Sequence, residues 1–107
     1  MDLYLPEKAK FSPKLYLLRA GYHEFGDPNT GKTSYVRRLG NNFYPRLHAY
    51  LEEKSGRIAI SLHLDQKQPS YGGGSHAHSR EYDGPVVEGE ISRLEQFISR
   101  MDANPEE

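Results

Sequence analysis

Five histidines, His23, His48, His63, His76 and His78, are the side chains of this sequence best suited to hold a metal ion or move a proton. No cysteine accompanies them, so thiolate nucleophiles, disulfides, Cys-ligated zinc and iron–sulfur centres are excluded. Any metal must be held by nitrogen and oxygen. His76 and His78 form a His-x-His pair, which in an extended segment points both rings the same way, as two ligands of one ion require. His48 and His63 are linked by a different device. Ser55-Gly56 has the composition of a two-residue hairpin loop, and strands paired across it must match residues whose numbers sum to a constant. That arithmetic sets His48 opposite His63, Tyr50 opposite Ser61 and Arg46 opposite Asp65. Directly opposed residues have Cβ atoms about 4.5–5.5 Å apart, close enough for two imidazoles to share an ion or a proton.

The same pairing sets Leu51 opposite Ile60, Ala49 opposite Leu62 and Leu47 opposite Leu64. Side chains alternate along a strand, so these six apolar residues share the face opposite the histidines. A slip of one residue would bury the imidazoles and expose the leucines, so register and hydrophobic pattern check each other. The sequence thus predicts a metal centre on an open sheet face, with His48, His63, His76 and His78 as ligands and Asp65 as a further ligand or its hydrogen-bond partner. Such a set suits zinc, iron, nickel or manganese. An ion with an open position would activate water against an ester or phosphoester, with Arg46 anchoring a phosphate. A metal-free version uses His48, His63, Tyr50 and Arg46 as acid, base and phosphate anchors on RNA.

Charge patterning points to a second class of function. Residues 1–50 carry eight Lys/Arg against four Asp/Glu, and residues 51–107 carry six against eleven. The chain therefore has a basic half and an acidic half. Between positions 32 and 50 no acidic residue interrupts the basic ones, and aromatics are interleaved among them. Arg37, Arg38, Arg46, Tyr44 and Tyr50 are accordingly candidates for binding nucleic acid or phosphate. In a third reading the protein carries no chemistry and offers a sheet edge or the acidic face of a helix to another protein.

Gly26-Asp27-Pro28-Asn29-Thr30-Gly31-Lys32-Thr33 resembles the Walker A phosphate-binding loop of nucleoside triphosphatases. That loop must open a helix whose N-terminus holds the phosphates. Here the segment that follows is cut short by Gly40-Asn41-Asn42 and Pro45. The eight residues read instead as a hairpin loop rich in turn formers.

Positioning these groups takes one small domain. The 107 residues suffice for a single core, and Ile, Leu, Val and Phe together make up 22 of them, a thin supply offset by a net charge of only -1. No apolar run is long enough for a membrane span or signal peptide, so a cytoplasmic protein with no membrane partner is expected. Residues 1–10 read as an extended or flexible tail, residues 11–102 as the domain and residues 103–107 as a disordered end. Strands are expected at Lys14–Tyr22, Tyr35–Leu39, Phe43–Lys54 and Arg57–Asp65, with loops at 23–34 and 66–84. Val87, Ile91, Leu94, Ile98 and Met101 recur at helical spacing, with Glu88, Glu90, Arg93, Glu95 and Arg100 on the opposite side. Asp83 or Gly84 would cap this helix, and Pro85 suits its first turn. The expected fold is therefore α+β: an antiparallel sheet of about four strands with one C-terminal helix across one face.

Overall fold

The computed structural model describes residues 1–28, 30–66, 80–81 and 84–104. The fold is α+β, built on an antiparallel sheet with strand order β1-β5-β4-β3-β2. Its strands are β1 (Asp2–Tyr4), β2 (His23–Gly26), β3 (Thr33–Arg38), β4 (Arg46–Lys54) and β5 (Arg57–Asp65). A two-residue strand, β6 (Arg80–Glu81), pairs with the end of β5. Helix α1 spans Pro13–Arg19, and helix α2 spans Pro85–Ala103. No helix of the described residues is long and apolar enough to cross a membrane.

The hairpin β4–β5 forms in the expected register, with His48 paired to His63, Arg46 to Asp65 and Lys54 to Arg57. Ser55 and Gly56 both have positive φ, 54° and 77°. Those are the angles of a two-residue turn whose twist matches that of the flanking strands. Leu47, Ala49, Ile60, Leu62 and Leu64 all lie buried on the face opposite the histidines. They join one core with Leu3 and Leu5, Tyr16 and Leu17 of α1, and Val87, Leu94 and Ile98 of α2.

Five expected elements change, one being the strand β6 inside the expected loop 66–84. Lys14–Tyr22 is mostly helix, not strand. Ser12 caps α1 by accepting a hydrogen bond from the Leu15 N–H (3.2 Å), and Pro13 occupies the first turn, where its missing N–H costs nothing. The extended first residues form β1, which pairs with β5 through Leu3 and Ile60, so they belong to the sheet. His23–Gly26 is a strand rather than loop, which gives five principal strands instead of four. The strand expected from Phe43 begins only at Arg46, because Pro45 has no N–H to give to a ladder.

The resemblance to a phosphate-binding loop ends in a hairpin. Gly26 pairs with Thr33 across β2 and β3, and the Asp27 N–H donates to the Lys32 carbonyl at 2.9 Å. A strand follows where the nucleotide-binding loop would open a helix.

Helix α2 buries Val87, Leu94 and Ile98 as its periodicity requires, but it also buries Glu90, which the pattern assigns to the polar face. The Tyr22 hydroxyl donates to Glu90 Oε2 at 2.6 Å, and Arg93 reaches both carboxylate oxygens at 2.8 Å. Burial alone would raise the Glu90 pKa, but the bonds from Arg93 and Tyr22 outweigh it and hold the carboxylate below its usual range. Gly89 sits one position earlier on the exposed side, with open space where a Cβ would lie. Gly89→Ala is therefore expected to stabilise the protein by up to about 1 kcal/mol, seen as a higher urea midpoint at unchanged slope.

Candidate metal centre

Three of the predicted ligands converge. His48 on β4 and His63 and Asp65 on β5 offer ligand atoms that all lie within 4.8 Å of one another. Asp65 is the hub. Its Oδ2 lies 2.9 Å from His48 Nδ1 and 3.1 Å from Arg46 Nε, and its Oδ1 lies 2.9 Å from His63 Nε2. The convergence follows from the strand period: Arg46 and His48 are two apart on β4, His63 and Asp65 two apart on β5, and the register places each pair opposite the other.

The expectation of a wet, open face is corrected here. His48, His63 and Asp65 are only 6%, 3% and 5% exposed. Aromatic rings crowd the same face: Tyr50 stacks on His48 at 4.5 Å and on His63 at 5.5 Å, and Phe25 of β2 lies 6.0 Å from His48. The additional strand β2 supplies Phe25, so the sheet extends further over the site than four strands would. Burial is the largest influence on Asp65 and would raise its pKa. Hydrogen bonds from His48 and His63, with the attraction of the two rings, overcome it and hold the carboxyl far below its ordinary 3.8. Asp65 is therefore a carboxylate at any ordinary pH.

Sequence reasoning missed Ser34. Its Oγ lies 2.7 Å from His48 Nε2 and 3.3 Å from the Phe25 carbonyl oxygen. Ser34, His48 and Asp65 thus form a hydroxyl–imidazole–carboxylate row, the order of groups used in nucleophilic catalysis. Ser34 is only 3% exposed, which withholds its hydroxyl from any substrate, so it positions the His48 ring and does not attack. The signal was its place on β3, two residues from Val36, which pairs with His48; the register of that strand could not be read from Gly40-Asn41-Asn42. Ser34→Ala is expected to cost about 1 kcal/mol of stability, measured by denaturant unfolding.

The remaining candidates divide. Arg38 pairs with Arg46 across β3 and β4 and so shares the histidine face, whereas Arg37 pairs with Leu47 and belongs to the opposite one. Arg46 is clamped to Asp65, and its guanidinium also lies 4.7 Å from the Tyr44 ring. Tyr50 serves as a stacking wall for both histidines. His76 and His78 lie outside the described residues. His23 is on the edge strand β2, paired with Val36 and separated from His48 by β3.

No family model matches the sequence, and neither a curated protein nor a solved structure is similar enough to it to count as a match. The chemistry of the site rests on its own geometry.

Proposed function

We propose that the protein binds one divalent transition-metal ion through His48 Nδ1, His63 Nε2 and Asp65, in a centre whose burial gives an ester or phosphoester no more access than it gives to Ser34, so that the ion ties β4 to β5 rather than hydrolysing a substrate. The observation that carries this reading is that both imidazole nitrogens stand 2.9 Å from oxygens of a single carboxylate. Two donors held at about 2.1 Å from a common ion are about 3.0 Å apart at right angles and about 3.4 Å apart at the tetrahedral angle, so the ligands need to spread by up to about half an ångström to admit the ion. Two histidines and one carboxylate leave coordination positions for water, and the donor set suits zinc or iron ahead of magnesium or calcium. Nickel and manganese remain within its range.

The hydrogen bonds beyond the ligands favour the same reading. A metal on Nδ1 of His48 leaves its ring proton on Nε2. Ser34 Oγ is there at 2.7 Å to accept it, and the Ser34 hydroxyl can pass its own proton to the Phe25 carbonyl at 3.3 Å. The hydrogen-bond partners that the metal-bound tautomer needs on Nε2 are thus already in place.

Elemental analysis of the untagged protein as purified tests the proposal. The expected result is close to one equivalent of a transition metal, removed by a chelator, restored by titration and lost in His63→Ala. Metal-free protein that takes up none of zinc, iron, nickel or manganese on titration would overturn it.

A further inference from the structure

The same face of the sheet carries a second feature, a cleft of about 730 Å³ next to the metal centre. His23, Phe25, Val36, Arg38, Phe43 and Arg46 line it. By register the five of these that lie on strands all project from the histidine face. Its volume falls in the range of small-molecule sites, about 300–1,000 Å³. The Arg38 guanidinium lies over the Phe43 ring at 4.3 Å, and that of Arg46 lies 4.9 Å from the Phe25 ring. Phe43 is nevertheless 64% exposed, the largest exposure among the big apolar side chains of the described residues.

We propose that this cleft binds a nucleotide unit, its base stacked on the Phe43–Arg38 pair and its phosphate held by the arginines. Three features together favour that ligand class. Charge in the cleft is cationic: Arg38 and Arg46 line it from the histidine face, Arg46 sharing its charge with Asp65, and the lining carboxylate Glu24 is ion-paired with Lys14. Guanidinium groups pair with phosphate oxygens in a fixed fork, so a phosphate can bridge Arg38 and Arg46, whose strand positions are directly opposed. An aromatic ring backed by a guanidinium and open to water on its other side is a stacking platform for a base, whatever the base is. A wholly apolar ligand would leave the arginines unused, and inorganic phosphate would leave Phe43 unused.

This inference does not depend on the metal, and the test keeps the two apart. The untagged full-length protein, with chelator present, is titrated calorimetrically with adenosine monophosphate, with inorganic phosphate and with a short oligoadenylate. Adenosine monophosphate or the oligomer is expected to bind, and Phe43→Ala and Arg38→Ala are each expected to weaken that binding by about tenfold or more. Phe43 and Arg38 are both exposed, so the variants should melt as the parent does. An oligomer that binds far more tightly than the mononucleotide, with a steep salt dependence, assigns the site to a single strand; equal affinities assign it to the free nucleotide. The proposal is overturned if neither adenylate binds, if phosphate alone binds as tightly as the mononucleotide, or if both substitutions leave the affinity unchanged.

Discussion

Asp65→Asn is expected to destabilise the protein by about 3 kcal/mol or more, the usual result of breaking a buried ion pair by removing one partner, and to abolish metal binding. The substitution preserves shape and removes charge. Asp65 Oδ2 accepts from His48 and Arg46 at 2.9 and 3.1 Å, and its Oδ1 stands 2.9 Å from His63 Nε2. An asparagine offers one carbonyl oxygen and turns a donating NH₂ toward a second set of donors. Arg46 then keeps its charge, 12% exposed, beside a neutral group. The effect should also depend on pH. The Asp65 pKa is depressed in the folded state relative to its ordinary 3.8, so its stabilisation is fully present above that value and is lost as the pH falls toward the folded value. Wild type and variant should therefore differ most near neutrality and converge in acid below about pH 4. Denaturant unfolding of both proteins across that range is the check, and a gap that does not narrow in acid would sink this account of Asp65.

Glu90→Ala is expected to cost about 2–3 kcal/mol, because it strands the Tyr22 hydroxyl and the Arg93 guanidinium at a buried position. Tyr22 is 1% exposed and Glu90 6% exposed. Arg93 also donates to the Ala20 carbonyl at 2.9 Å. One carboxylate thus ties α2 to the segment between α1 and β2. Half-exposed Arg93 is partly screened by water, which keeps the figure at the lower end of the range for buried pairs. Glu88→Ala, on the exposed side of the same helix, serves as the control and should fall within about 0.5 kcal/mol of wild type. Equal urea midpoints for the two variants would show that the Tyr22–Glu90–Arg93 cluster carries no net stability.

The parts of the fold that could be read in advance are those set by strict periods. Two-residue turn chemistry at Ser55-Gly56 and alternation on both sides of it determine the β4–β5 register, and with it the meeting of His48, His63 and Asp65. The spacing of Val87, Leu94 and Ile98 determines the buried stripe of α2. Short elements were harder to read. Leu15-Tyr16-Leu17-Leu18 suits a buried strand and a buried helix equally, and the cap Ser12-Pro13 was the only local signal that separates them. Strands β1 and β2 have three and four residues, too few for alternation to show, and their pairing comes from the sheet. Glu90 lies inside because tertiary partners, Tyr22 and Arg93, satisfy it there, a condition invisible to helical periodicity. The enclosure of the histidine face has the same origin: it depends on Phe25 arriving from β2 and on Tyr50 lying flat against both rings.

The position of the ion is the central claim, and anomalous scattering tests it most directly. Crystals of the untagged protein grown with the metal found in it, and measured on both sides of that metal's absorption edge, should show one peak about 2.1 Å from His48 Nδ1 and from His63 Nε2, in contact with Asp65. Fully loaded crystals with no peak among these three side chains, or with the ion held elsewhere, would contradict the account.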